Sequence, residues 1–142
     1  MTVDYELRGH VAVITINRPG ARNAVNTEVA QGIEAAIDRL EEDPEAWVGI
    51  LTGARTDKGW IFCAGAALKQ MSVDPGGMVT AKGGFAGIAT RERTKPIIAA
   101  VDGPALAGGT EIVLSCDLVV ASETAVFGIP EDKRNLVAGA GG

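Results

Sequence analysis

Apolar and polar residues alternate along residues 3–8, and Val11–Ile16 (VAVITI) is a β-branched run, with Gly9-His10 between the two. That pattern predicts a hairpin of paired strands. After the turn cluster Asn17-Arg18-Pro19-Gly20 the period changes. Val29, Ile33, Ile37 and Leu40 recur at helical spacing from about residue 26 or 27 to 42, where Asp43-Pro44 stops the run. Residues 47–52 are almost continuously apolar, as expected of a strand covered by helices on both faces. The remaining pattern predicts a short helix over 66–71, a mobile Gly-rich loop over 72–84, a helix over 85–93 and a strand over 96–101. A helix opening at Gly108-Gly109 and a strand over 118–121 follow. Strands alternating with helices in this way imply α/β architecture with largely parallel pairing.

A chain of 142 residues that is 46% hydrophobic has enough apolar material for one compact domain, 1–142. Thirteen basic residues against eighteen acidic ones give a net charge of -5, and no basic run suits a nucleic-acid groove. The apolar runs fall far short of the roughly 20 residues a membrane helix needs, and no leader-like pattern opens the chain, so a cytoplasmic protein without membrane partners is expected. Cys63 and Cys116 form no metal-ligand pattern and read as reduced core thiols; no metal site is expected. His10, the only histidine, sits at a strand start and reads as a surface residue.

Three segments combine glycine with plausible chemistry. In Cys63-Ala64-Gly65-Ala66-Ala67-Leu68-Lys69, small residues allow close backbone approach to a flat ligand, or simply tight packing of a helix on a strand. In Ala107-Gly108-Gly109-Thr110-Glu111, glycines at a helix start leave N–H groups free to meet developing negative charge. Glu111 lies one turn inside, flanked by Ile112, Val113 and Leu114, where it is either a desolvated functional carboxylate or an ordinary first-turn glutamate. In Phe127-Gly128-Ile129-Pro130-Glu131, a second carboxylate arrives at a strand end. Two such glutamates suit general acid/base work on a neutral substrate.

Taken in order with Asn17-Arg18-Pro19, Arg22-Asn23-Ala24 and Gly139-Ala140-Gly141-Gly142, these segments resemble the signatures of the crotonase (enoyl-CoA hydratase/isomerase) superfamily along essentially the whole chain. The resemblance implies an α/β, crotonase-like β-β-α superhelix and an acyl-CoA thioester substrate. Coenzyme A would be part of that substrate, with no separate cofactor. By position, the N–H groups of Ala66 and Gly108 would hold the thioester oxygen. Glu131 would serve the proton at C2, Glu111 jointly the water at C3, and the backbone of Gly139 would help hold that water. Arg22, Asn23, Ala24, Ala64, Ala66 and Leu68 would line the CoA moiety, with Arg22 or Lys69 near its phosphates.

Ala67 stands where the family often has Asp, and Asn135 where Gly is usual, which a left-handed backbone would accommodate. Family members usually continue for about another hundred residues, so the chain is expected to lack the C-terminal helical part, and homo-oligomers (trimer or hexamer) are expected. A hydratase-type lyase is the first reading. A carnitinyl-CoA-type dehydratase, for which Gly83-Gly84-Phe85-Ala86-Gly87 speaks, and an enoyl-CoA isomerase are the alternatives within the family. A non-catalytic acyl-CoA-binding or assembly fragment is the alternative of another class.

Overall fold

The computed structural model describes residues 1–142. Strand β1 (Val3–Arg8) turns at Gly9-His10 into β2 (Val11–Ile16), antiparallel and in register from Val3 opposite Ile16 to Arg8 opposite Val11. A 3-10 turn, Pro19–Ala21, leads to helix α1 (Thr27–Glu42). The Asn26 side chain caps α1 by accepting the Val29 N–H at 3.0 Å. At the other end, Lys95 Nζ donates to the carbonyls of Leu40 and Asp43 at 2.7 Å each, meeting acceptors the helix leaves unpaired.

The helical stripe read in the sequence is the buried face: Val29, Ile33, Ile37 and Leu40 are fully enclosed and share one core with Ala12, Ile14 and Ile16 of β2. Each such aliphatic side chain stabilises the fold by about 1.5–3 kcal/mol relative to exposure.

The chain then forms β3 (Val48–Gly53) and a small hairpin of β4 (Arg55–Thr56) and β5 (Gly59–Trp60). Helix α2 (Leu68–Val73) and a 3-10 turn (Pro75–Met78) follow, then a second small hairpin of β6 (Val79–Thr80) and β7 (Gly84–Phe85). Beyond these lie β8 (Ile97–Val101), β9 (Pro104–Leu106), α3 (Gly108–Leu114), β10 (Leu118–Ala121), β11 (Val126–Gly128) and a 3-10 turn, Glu131–Arg134.

The main sheet has the order β1-β2-β3-β8-β10, parallel from β2 onward. Beside it, β9 pairs in parallel with β11, and Cys63 bridges to Ala105 of β9. Three successive turns of chain therefore repeat one path: β3, Cys63, α2; then β8, β9, α3; then β10, β11 and the last 3-10 turn. This is a β-β-α superhelix. The repetition is spatial and has no counterpart in sequence self-similarity.

Three expectations change. Residues 72–84 carry a 3-10 turn and hairpin strands rather than an unstructured loop. No helix forms over 85–93, because Ala86 and Gly87 adopt left-handed backbones (φ +56 and +71) and fold the chain back onto α1. A methyl on Gly87 would lie 2.4 Å from the Ala30 carbonyl, so the approach to α1 requires glycine there. Strand β3 buries alternate residues only, with its second face half-covered, and β10 is exposed throughout. No helix is long and apolar enough to cross a membrane.

Candidate active site

The first candidate segment is pinned against the residues after Arg18. Ala64 N–H donates to the Arg22 carbonyl at 3.1 Å, Val25 N–H to Gly65 at 2.8 Å, and Ala67 N–H to Val25 at 2.7 Å. The alternation of that ladder turns the Ala66 N–H away from Val25, and within the chain it has no acceptor. Gly65, at φ +94, brings this strip against the start of α3: a methyl on Gly65 would lie 3.0 Å from Gly108 N. A methyl on Gly108 would lie 3.5 Å from Ala66 N.

Gly108, the first residue of α3, likewise donates its N–H to nothing in the chain. Ala107, before it, holds φ +52 and ψ -121, a backbone that costs an L residue energy and here sets the direction of the Gly108 amide. Helix α3 spans only seven residues, so two directional N–H groups do more here than any macrodipole.

Thr110 fastens α3 to the second sheet. Its hydroxyl lies 2.6 Å from the Ala105 carbonyl and 2.8 Å from that of Gly128, sharing its proton between them, and accepts the Gly128 N–H at 3.1 Å. Ala107 N–H also donates to Gly128 at 2.8 Å. The end of β11, which leads through Ile129-Pro130 to Glu131, is thus tied to the helix that carries Glu111.

Glu111 is 4% exposed, and its Oε2 accepts the backbone N–H groups of Ala140 at 2.5 Å and Gly142 at 3.1 Å. Two backbone donors on one oxygen fix the orientation of the carboxyl group. A methyl on Gly142 would lie 2.8 Å from Ile129 Cδ1 and 3.2 Å from Glu111 Cγ, so the Gly-rich segment sits between the two glutamate-bearing elements. Glu131 opens the last 3-10 turn; its Oε1 is buried and has no hydrogen-bond partner in the protein. A buried carboxyl oxygen left without a partner is costly to the fold.

Among the residues expected to line a CoA moiety, Ala24 is buried, Ala64 half-buried, and Arg22, Leu68 and Lys69 are exposed at the edge of the same strip. Asn23 differs. It is fully enclosed, donates Nδ2 to the carbonyls of Ala54 and Ile61 at 2.8 Å each, and accepts the Arg18 N–H at 3.0 Å on Oδ1. Its side chain holds the loop together and turns no polar atom to a ligand.

The amide of Gly139 makes no bond within the chain, while Ala140 and Gly142 of the same signature run, given no individual role from the sequence, hold Glu111. The four-residue run of small residues was the available signal for them. Asn135 is left-handed (φ 53, ψ 38), as its place in a glycine position requires. Cys63 and Cys116 are unpaired, and burial pushes both thiols up to about 12. His10 lies outside the site, stacked at 3.6 Å on Trp47 with Nδ1 2.8 Å from the Glu45 carbonyl.

Fold and site together describe a superhelical α/β protein with two neighbouring free amides, a carboxylate held by backbone N–H groups and a second glutamate with a buried, unpartnered oxygen. Residues 6–142 match the enoyl-CoA hydratase/isomerase family, and the chain belongs to that family. A curated relative, "Enoyl-CoA hydratase EchA19" of Mycobacterium tuberculosis, is 46% identical over 137 residues, covering 92% of this chain and 50% of the relative. The crystal structure of a probable enoyl-CoA hydratase/isomerase from Mycobacterium abscessus superposes with TM-score 0.87 at 52% identity, over 99% of this chain and 53% of that one. A carnitinyl-CoA hydratase from Mycobacterium avium superposes with TM-score 0.84 at 46% identity, over 99% and 54%. The chain spans about half the length of the curated relatives it matches.

Proposed function

We propose that the protein is an enoyl-CoA hydratase-type lyase that adds water reversibly to a 2-enoyl-CoA thioester. The observation that carries this reading is the proximity of two unspent amides, Ala66 N–H and Gly108 N–H, the latter on a helix start that also carries Glu111, whose carboxylate is held by backbone donors.

Bound between the two amides, the thioester oxygen gains negative charge as C3 is attacked, and fixed donors stabilise that charge without reorganising. Glu111, its Oε2 held by Ala140 and Gly142, has Oε1 left to orient a water molecule and take its proton as oxygen bonds to C3. The C2–C3 π electrons move to form the enolate. The Glu131 carboxyl group delivers a proton to C2 as the enolate collapses. Proton return between the two glutamates and solvent restores the starting state. The unspent Gly139 amide is free to steady the water. The CoA moiety would run along Arg22, Ala24, Ala64, Ala66 and Leu68, with Arg22 or Lys69 toward phosphate and Asn23 as framework. Coenzyme A enters as part of the substrate. Homo-oligomers, trimeric or hexameric, and a cytoplasmic setting compatible with two unpaired thiols complete the proposal.

A second reading has its own observation. Leu114, Leu118, Val120, Val126 and Phe127 are exposed on the last turns of the superhelix, an apolar surface that suits assembly. On that reading the chain binds acyl-CoA or pairs with other family members without turnover. Incubating the protein with crotonyl-CoA and, separately, carnitinyl-CoA, alongside a binding titration, separates the alternatives. Formation of 3-hydroxybutyryl-CoA supports the hydratase, dehydration of carnitinyl-CoA alone supports the dehydratase, and binding without turnover supports the fragment.

A further inference from the structure

The ring of Phe85 stands directly beside the oxyanion-binding amide. Its Cε1 and Cζ carbons lie 2.7 Å from where a methyl on Gly108 would be, so the ring fills the side-chain space that Gly108 leaves. The ring is also held in place. Phe85 pairs with Val79 across the small hairpin, Ala86 N–H donates to Met78 at 2.8 Å, and Gly87 presses onto α1 at Ala30 and Glu34. Lys82 N–H donates to Glu34 Oε2 at 3.0 Å and anchors the same turn from its other side.

The orientation of a bound thioester follows from the two amides. Ala66 belongs to the strip paired with Val25, along which the proposed CoA path runs, whereas Gly108 opens α3. With CoA on that side, a carbonyl spanning both amides would have its sulfur toward Ala66 and its acyl carbons toward Gly108, where the ring stands. We infer that Phe85 is a specificity-determining residue, the wall against which the first acyl carbons lie, admitting an unbranched chain and rejecting a substituent on C2. The inference rests on the acyl-CoA reading of the site.

Binding of saturated thioesters tests it without requiring turnover. Calorimetric titration of the complete protein with butyryl-CoA and 2-methylbutyryl-CoA is expected to show at least about 10-fold tighter binding of butyryl-CoA, the scale of one misplaced methyl group. Phe85→Ala should cut that ratio to about 3-fold or less, and Phe85→Leu should give an intermediate ratio and serves if the alanine variant does not fold. A wild-type protein that binds both thioesters equally, or a folded variant with the wild-type ratio, overturns the role of Phe85 while leaving the acyl-CoA reading intact. A wild-type protein that binds neither thioester overturns both.

Discussion

Ala66 N and Gly108 are neighbours: a methyl on Gly108 would lie in ordinary contact, 3.5 Å, with the Ala66 nitrogen. The same methyl would meet the Phe85 ring at 2.7 Å. Gly108→Ala therefore either moves the ring or opens the amide pair. Hydration of crotonyl-CoA should fall by about 100-fold or more, the scale of losing one oxyanion donor, with far-ultraviolet circular dichroism unchanged. A folded Gly108→Ala protein with wild-type kcat/KM would remove this amide from the site.

Ala67 is the N-cap of α2, with an extended backbone (φ -70, ψ 112) and no side chain to accept the first helical N–H groups. Ala67→Asp supplies that acceptor and should raise stability by about 0.5–2 kcal/mol, read as an increase in Tm. A lower Tm would show that the capping geometry is not reached.

The Thr110 hydroxyl bonds the carbonyls of Ala105 and Gly128 and accepts the Gly128 N–H, joining α3 to β9 and β11. Thr110→Val keeps the shape and removes the hydroxyl. It should cost about 1–3 kcal/mol, whereas Thr110→Ser, which retains the hydroxyl, should lose less. Equal losses in the two variants would assign the effect to packing.

The fold was legible in the sequence where periodicity was long and unambiguous. Helix α1 follows from four apolar residues at helical spacing and a stop at Asp43-Pro44, and the β1–β2 hairpin follows from alternation around Gly9. The helix expected over 85–93 fails because close contact with α1 imposes left-handed backbones at Ala86 and Gly87, a tertiary demand that local pattern does not carry. The two candidate amides, those of Ala66 and Gly108, came from family signatures rather than side-chain chemistry. The structural part of the Asn23 side chain, three buried hydrogen bonds to Arg18, Ala54 and Ile61, depends on distant loops and was not legible in the local sequence.

Asp38 receives Arg91 Nη2 at 2.6 Å and Lys82 Nζ at 3.0 Å, joining α1 to the turn that carries Phe85 and to the chain beyond it. The Arg91 hydrogen bond first, and then that of Lys82, hold its carboxyl below the ordinary Asp value. A carboxyl depressed in the folded state adds stability above its unfolded value of about 3.9 and loses it as pH falls through the folded value. Tm should therefore drop on acidification below about pH 4, and Asp38→Asn should lower Tm at neutral pH while flattening that acid limb. An acid limb identical in both proteins would leave this carboxyl without a part in acid unfolding.

The most direct test of the paired glutamates is the initial rate of crotonyl-CoA hydration by the complete protein and by Glu111→Gln and Glu131→Gln, with butyryl-CoA binding measured on the same samples. Each variant should bind the thioester and lose about 100- to 10,000-fold in rate, the usual share of a positioned acid or base. A variant that hydrates at the wild-type rate would contradict the assignment of its carboxylate.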